Sequence, residues 1–250
     1  MQRLFLPSET ISGDRIVFPD SVRHQLLNVL RLEKDDKIIV HDNSGWEYEV
    51  VLTEVDKKGI TGRISGKTLS RAEARVKVRL YQGLLKGDKF ELVLQKATEL
   101  GVSSFVPVLF KRCVVTVFPS SSRVRRWQTI IKEAAEQSGR SILPELAAAV
   151  EFPLACRRKP GPGLIFWEEE KQTSLHSVLE NWKMNQPTQT GELSVYIGPE
   201  GGIEPSEIET ARQEGIIPVS LGPRVLRAET AAIASVTAVL YHLGDLGEPG

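Results

Sequence analysis

Two segments of the 250-residue chain carry the residue types from which a small-molecule pocket can be made. One is Ile197-Gly198-Pro199-Glu200-Gly201-Gly202-Ile203-Glu204-Pro205. The other is Leu221-Gly222-Pro223-Arg224-Val225-Leu226-Arg227-Ala228-Glu229-Thr230. Each follows an apolar run and sets glycine beside proline. Such a loop is stiff, and its backbone N–H and C=O groups can come close to a ligand because glycine has no Cβ. Phosphate is a poor candidate for that ligand. A phosphate cradle needs the P-loop lysine, or an early G-x-G-x-x-G. The first loop and the residues after it carry Glu200, Glu204, Glu207 and Glu209 instead, with no lysine in reach along the sequence. Backbone groups with acidic neighbours suit a neutral nucleoside bearing a positive centre, for which an adenosyl sulfonium qualifies. Taken singly, each loop also reads as a tight turn with capping glutamates.

Ligands of an open parallel sheet bind beyond the carboxyl ends of its strands, so the surrounding elements decide whether the two loops can meet. From Arg75 onward the pattern predicts strands alternating with helices. Strands are expected at 76–81, 105–109, 164–167, 193–197 and 216–221, with a further short extended piece at 114–117. Helices are expected at 88–100, from Ser121 or Ser122 to Ser138, and at 173–182, 205–213 and 228–243. That alternation implies an α/β fold with a mainly parallel sheet and helices on both faces. The first seventy residues differ. Short runs at 3–6, 15–18, 37–41, 47–55 and 60–65 are rich in Val, Ile and Tyr and are punctuated by turn signals, with one helix between them carrying Val22, Leu26, Val29 and Leu30. This predicts a small β-barrel. The boundary falls in 65–74, giving domains 1–72 and 73–250.

Lys and Arg balance Asp and Glu at 32 each, but unevenly along the chain. Residues 76–160 hold 15 Lys and Arg against 7 Asp and Glu, whereas 161–250 hold 5 against 13. A neutral molecule can thus present a basic face to nucleic acid, and composition equally fits charges scattered over separate faces for solubility. Met1–Leu6 is too short an apolar start for a signal peptide, and Ala231–Leu243 is too short to span a bilayer. Cys113 and Cys156 fit no metal-ligand spacing. His41, His176 and His242 show no ligand pattern and read as structural. A cytoplasmic protein with reduced thiols, no membrane and no metal is expected.

The two loops together, followed by Thr237–Gly247, closely resemble the RsmE-type family of 16S ribosomal RNA uridine-N3 methyltransferases, in the SPOUT superfamily. Further matches extend over nearly the whole chain: Lys86-Gly87-Asp88 leading to Gln95–Val102, Arg126-Trp127-Gln128 leading to Glu136–Arg140, Pro144-Glu145, and, near the start, Arg3, His24 and Val29-Leu30-Arg31. Lys111 departs from the pattern, which has an acidic residue before Arg112. The resemblance implies a C-terminal part threaded into a trefoil knot whose loops hold S-adenosyl-L-methionine, a PUA-like N-terminal barrel, and a homodimer. The substrate it implies is small-subunit ribosomal RNA, naked or in the assembled small ribosomal subunit.

On that basis Ile197, Gly198, Glu200, Gly201, Leu221, Gly222, Leu226, Arg227 and Thr230 are the expected cofactor-binding residues. Leu221 and Leu226 would flank the adenine. Arg227 would hold the methionine carboxylate or a target phosphate, or else pair with Glu229. A general base for the uracil N3 proton is desirable. Glu200 is the nearest candidate by motif and reads equally as a loop brace, and Arg227 is the other catalytic candidate through its carboxylate or phosphate contact. Candidate RNA contacts are Arg3, Arg23, His24, Arg31, Arg112, Arg126 and Arg140. Lys111, Arg123 and Arg125 join them around Phe118 and Trp127, although Trp127 falls on the apolar stripe of its helix and is expected in the core. Glu133, Gln137 and Arg140 share one helix side. Arg157-Arg158-Lys159 reads as a solvated charge run. Competing readings are a non-catalytic RNA-binding or ribosome-assembly protein, a SPOUT methyltransferase acting on another nucleotide, and a nucleotide-phosphate enzyme.

Overall fold

The computed structural model describes residues 1–185 and 191–247. Two compact units emerge, Met1–Glu73 with Ala135–Leu143, and Ala74–Ala134 with Pro144–Gly250. Segment 135–143, expected from sequence in the C-terminal domain, thus clusters with the N-terminal one.

In the first unit, β1 (Gln2–Phe5), β2 (Ile11–Ser12), β3 (Arg15–Val17), β4 (Lys37–His41), β5 (Trp46–Val55) and β6 (Ile60–Leu69) form one sheet in the order β1-β4-β5-β6-β3-β2. The β1–β4 pair is parallel, and the other pairs are antiparallel. β5 buries Tyr48, Val50 and Leu52 at every second position, as a strand with one wet face must. Register shifts between Glu49 and Val50 and between Leu52 and Glu54 bend it against β6. Among the described residues no pairing joins β1 to β2, so the sheet runs between two edges. The expected helix is α1 (Asp20–His24), which continues into a wider π-type turn over Gln25–Val29 and sends Val22 and Leu26 inward.

The second unit is built on β7 (Lys77–Gly83), α2 (Lys89–Leu100), β8 (Ser104–Leu109), α3 (Ser121–Ser138), β9 (Glu145–Leu146), β10 (Val150–Glu151), α4 (Phe152–Arg157), β11 (Gly163–Phe166), α5 (Leu175–Asn185), β12 (Glu192–Ile197), α6 (Pro205–Gln213), β13 (Ile216–Val219) and α7 (Ala228–His242). Its strands run β10-β8-β7-β12-β11-β13, with β9 beside β8, and every described pairing is parallel. The near-continuous apolar runs of β8, β11 and β12 suit a sheet covered on both faces. Tyr81 and Tyr196, directly opposite in register on β7 and β12, stack with centroids 4.3 Å apart. Helix α2 turns Phe90, Val93, Leu94 and Ala97 inward and stops at Gly101, whose φ of 110° is the left-handed cap that glycine adopts freely. Trp127 is fully buried, as its place on the apolar stripe predicts.

Residues 114–117 form no strand. Val114 and Val117 are exposed. The short elements β9, β10 and α4 lack a periodicity long enough to signal them.

Candidate active site

Because β7, β12, β11 and β13 are adjacent and parallel, their carboxyl ends open onto one edge of the sheet. The two glycine-proline loops leave from β12 and β13. They bound a cavity of about 540 Å³ lined by Ile197, Gly198, Glu200, Leu226 and Arg227, with Phe166 and Glu168 from the end of β11 and Lys89 from α2. A smaller space of about 60 Å³, lined by Leu221 and Gly222, shares Phe166, Glu168, Leu226 and Ala231 with it. Sequence reading overlooked Phe166, Glu168 and Lys89. Their signal was the strand-end rule itself: β11 also stops at this edge, but its exit carries no Gly-Pro pair to draw notice. The expectation of no lysine in reach is corrected here. Lys89 lies far away along the chain, yet the β7–β12 pairing brings its Nζ to 3.4 Å from Glu200 Oε1.

The β12 loop is held from several sides. A Cβ on Gly83 would lie 2.6 Å from the Pro199 nitrogen, and one on Gly198 would lie 2.5 Å from Ile203 Cγ1, so backbone packs directly on the loop. Gly202 has φ 77°, where an added Cβ would also reach 2.5 Å from Glu168 Oε1. Glu204 and Glu207 form a reciprocal capping box at the start of α6, with Pro205 in the first turn. Buried Glu207 also accepts the Lys111 N–H at 2.9 Å, while Lys111 Nζ sits 3.2 Å from Glu204 Oε2. The Lys111 ammonium, and the hydrogen bond it donates, hold the Glu204 carboxyl below the usual carboxylate range. Lys111 therefore serves here as the counter-ion of an α6 cap. Glu200 Oε1 accepts the Lys86 N–H at 3.0 Å, and its Oε2 is buried without a partner among the described residues.

The β13 loop is looser. Gly222 has φ 103° and open space where a Cβ would stand. Its N–H bonds Ser220 Oγ at 3.1 Å, and Val225 is 82% exposed. Arg227 occupies the N-cap position of α7 and lines the cavity. Among the described residues no ion pair joins it to Glu229, which is buried. Gly201 and Thr230 do not line the cavity: Gly201 is pressed onto the Arg112 backbone, where a Cβ would lie 2.5 Å from the carbonyl oxygen, and Thr230 is exposed on α7.

The candidate RNA residues scatter. His24 and Arg31 are exposed in the first unit, and Arg23 pairs with Asp20 while donating to the Lys57 carbonyl at 3.2 Å. Arg3 packs its guanidinium against Gly139. Arg140 is a correction. Gly139, at φ 78°, turns the chain out of α3, so Arg140 leaves the side it was expected to share with Glu133 and Gln137. It is buried instead and donates to Glu73 Oε2 from Nε at 3.2 Å and from Nη2 at 2.7 Å. That guanidinium braces the first unit and offers no face to RNA. In the second unit Arg112 and Arg126 are exposed. Arg126 pairs with Glu91 at 2.7 Å, and Arg112 Nε lies 3.8 Å from Glu204. Arg123 stands over the Trp127 ring at 5.1 Å.

Burial pushes the Cys113 thiol up and the Cys156 thiol up to about 12, so both stay protonated and inert at neutral pH.

A family model for RNA methyltransferase domains matches residues 72–240, and one for the RNA methyltransferase PUA domain matches residues 19–65. The chain belongs to this RNA methyltransferase family. Among curated relatives, ribosomal RNA small subunit methyltransferase E of Bacillus subtilis is 31% identical over 97% of both chains, and that of Synechocystis is 34% identical over 95% of this chain and 78% of its own. The crystal structure of ribosomal RNA small subunit methyltransferase E from Neisseria gonorrhoeae bound to S-adenosyl methionine is 30% identical. It superposes with a TM-score of 0.87 over 99% of this chain and 100% of its own. These relatives match the family that the two loops suggested, and the chain is an RNA methyltransferase of mixed α/β architecture with a separate N-terminal PUA-like sheet domain. No helix of the described residues is long and apolar enough to cross a membrane.

Proposed function

We propose that the chain transfers a methyl group from S-adenosyl-L-methionine to N3 of a uridine in small-subunit ribosomal RNA, as a homodimer in the cytoplasm. The observation that carries this reading is the cavity into which both glycine-proline loops turn. Its size suits a nucleoside-sized ligand, and its make-up of apolar walls with a few convergent polar groups is that of a cofactor site. The local geometry fits as well, because Gly198 and Gly202 on the cavity wall pack so closely on Ile203 and Glu168 that a Cβ would collide.

In this reading residues 73–250 are the catalytic domain, with the knotted threading that the family resemblance implies, and residues 1–72 are the RNA-binding domain. S-adenosyl-L-methionine, when bound, supplies an activated methyl group on a sulfonium. The chain supplies the rest. Leu221 and Leu226 form apolar walls for the adenine, and the backbones of Ile197, Gly198 and Gly222 offer hydrogen bonds to its edges. Arg227 binds a carboxylate or a phosphate at the cavity mouth. Glu200 uses Oε1 to tie Lys86 and Lys89 to the loop, and its carboxylate, on the cavity wall, is the candidate to take the uracil N3 proton. Positioning the base against the methyl carbon is the largest contribution asked of the protein. The exposed Val225 and Tyr241 supply apolar surface for a second copy. His24 and Arg31 in the first unit, and Arg112 and Arg126 in the second, are the basic groups offered to RNA phosphates.

The test is incubation of the purified chain with labelled cofactor and small ribosomal subunits lacking the modification, followed by nucleoside mapping. N3-methyluridine at one position is expected. Label at a different atom or base would refute the assignment while sparing the reaction class, and no transfer to any RNA would refute both.

A further inference from the structure

Away from the cavity, the fold gathers three side chains that the sequence separates. His176 and Glu180 stand one turn apart on α5, on one face by their i, i+4 spacing, and His242 is the last residue of α7. The ligand atoms of the three lie within 4.8 Å of one another. His242 Nε2 is 3.0 Å from Glu180 Oε1, and the rings of His176 and His242 meet edge to face with centroids 5.3 Å apart.

We propose that His176, Glu180 and His242 bind one divalent transition-metal ion, with zinc as the fitting class. Two imidazoles and a carboxylate make a ligand set that zinc accepts, with a fourth position left for water. Magnesium and calcium prefer all-oxygen shells, which this site does not offer. A tetrahedral ion with bonds of about 2.0–2.1 Å holds its ligands about 3.4 Å apart. The three groups therefore need only side-chain rotations to close on it. The close approach of His242 Nε2 to Glu180 Oε1, at 3.0 Å, already sets two of the ligands side by side. The third, His176, is exposed, so an ion can enter without local unfolding.

The ion would lie at the far end of α7 from the methyl-transfer cavity. α7 begins at Ala228, on the cavity wall, and runs about 21 Å to His242 at 1.5 Å per residue. The metal consequently acts as a staple between α5 and α7 and takes no part in methyl transfer. It would favour the folded state by mass action, as any ligand of the native form does.

The test uses the untagged full-length chain, stripped with chelator and dialysed. Equilibrium dialysis with zinc chloride is expected to give one ion per chain, with an upward shift in thermal midpoint. Cobalt(II) is expected to give weak visible bands without the intense near-ultraviolet charge transfer of a thiolate ligand. His176→Ala and Glu180→Gln, both on the outer surface of α5, should each weaken zinc binding by at least about tenfold, since each removes one ligand of three. Circular dichroism of the metal-free variants checks that they fold. Zinc binding of equal strength in wild type and both variants would overturn the proposal, as would a cobalt–thiolate band or less than half an ion per chain at saturation. Each of those outcomes would leave the cluster as a contact of His242 with Glu180 and with the His176 ring, without an ion. Methyl-transfer activity enters none of these readouts, so the proposal stands or falls apart from the functional assignment.

Discussion

The loops after β12 and β13 both set glycine beside proline, the first with Glu200 and Glu204 and the second with Arg224 and Arg227, and the molecule holds them differently. The β12 loop is wedged under Gly83, pinned by Glu200 to Lys86 and Lys89, and anchored by a double-glutamate cap that also binds Lys111. The β13 loop has open space around Gly222 and carries Val225 out into solvent. One wall of the cavity is thus finished by the fold, while the other keeps freedom that a bound molecule or a second subunit can remove. The glycine-proline pair by itself cannot tell such loops apart. What separates them is the number of distant elements that reach back to each. Perturbing the β12 loop should therefore cost stability and binding together, whereas perturbing the β13 loop should cost binding alone.

The sharpest way to break this comparison is Gly83→Ala. The added methyl would lie 2.6 Å from backbone at Pro199, which cannot rotate away as a side chain does. Overpacking of this kind costs roughly 1–3 kcal/mol, and the upper end is expected because the obstacle is main chain. A lowered denaturation midpoint with unmeasurable cofactor affinity by calorimetry is the expected pair of results. Unchanged affinity would mean that the β12 loop is not the fixed wall described. Glu207→Ala comes next. It strips the acceptor from the Glu204 and Lys111 N–H groups, at about 1 kcal/mol for each bond, or about 2 kcal/mol in all. Urea denaturation should show that loss, with cofactor affinity falling less than in the Gly83 variant.

Much of this was legible in the sequence, and the gaps have physical causes. Helix α6 was found with its exact bounds because Pro205 and the spaced glutamates are local start signals. The two loops stood out for the same reason, since glycine-proline chemistry is written in adjacent residues. Phe166, Glu168 and Lys89 were missed because their membership depends on strand order β7-β12-β11-β13, a non-local fact. Arg140 was misread because a single left-handed glycine redirected it, and helical spacing cannot register a chain that has left the helix. Thr230 and Gly201 belong to the right segments but to their outward or backward faces.

Gly222→Ala sharpens the other side of the comparison. No atom stands where the new Cβ would go, so the whole cost is conformational. Holding an L-residue at positive φ costs about 1–2 kcal/mol. An exposed loop escapes that cost by shifting its backbone, so the thermal midpoint should barely move. The loss should appear instead as cofactor affinity weakened by roughly tenfold, the equivalent of about 1.4 kcal/mol. A fall in midpoint as large as that of Glu207→Ala would show that this loop, too, is welded to the fold.

The smallest effect, and the most specific, is expected from Lys111→Ala. The hydrogen bond and charge of Lys111 are the leading cause of the lowered Glu204 titration, followed by Ser206 and Arg112. A carboxyl depressed in the folded state gives stability that is fully present above its unfolded pKa and is lost as pH falls through the folded value. Below the usual carboxylate range the wild-type chain should therefore lose part of the α6 anchor as Glu204 takes up a proton. In Lys111→Ala the Glu204 titration, followed by NMR of the side-chain carboxyl carbon, should move up toward the ordinary value. The acid-side loss of stability from this group should shrink, because less of it was gained above. The Lys111 N–H bond to Glu207 is made by the main chain and survives the substitution, so stability at neutral pH should change little. If Glu204 titrated at the same pH in both proteins, the ammonium would not be its counter-ion, and the β12 loop would lose one of the tethers that set it apart from its neighbour.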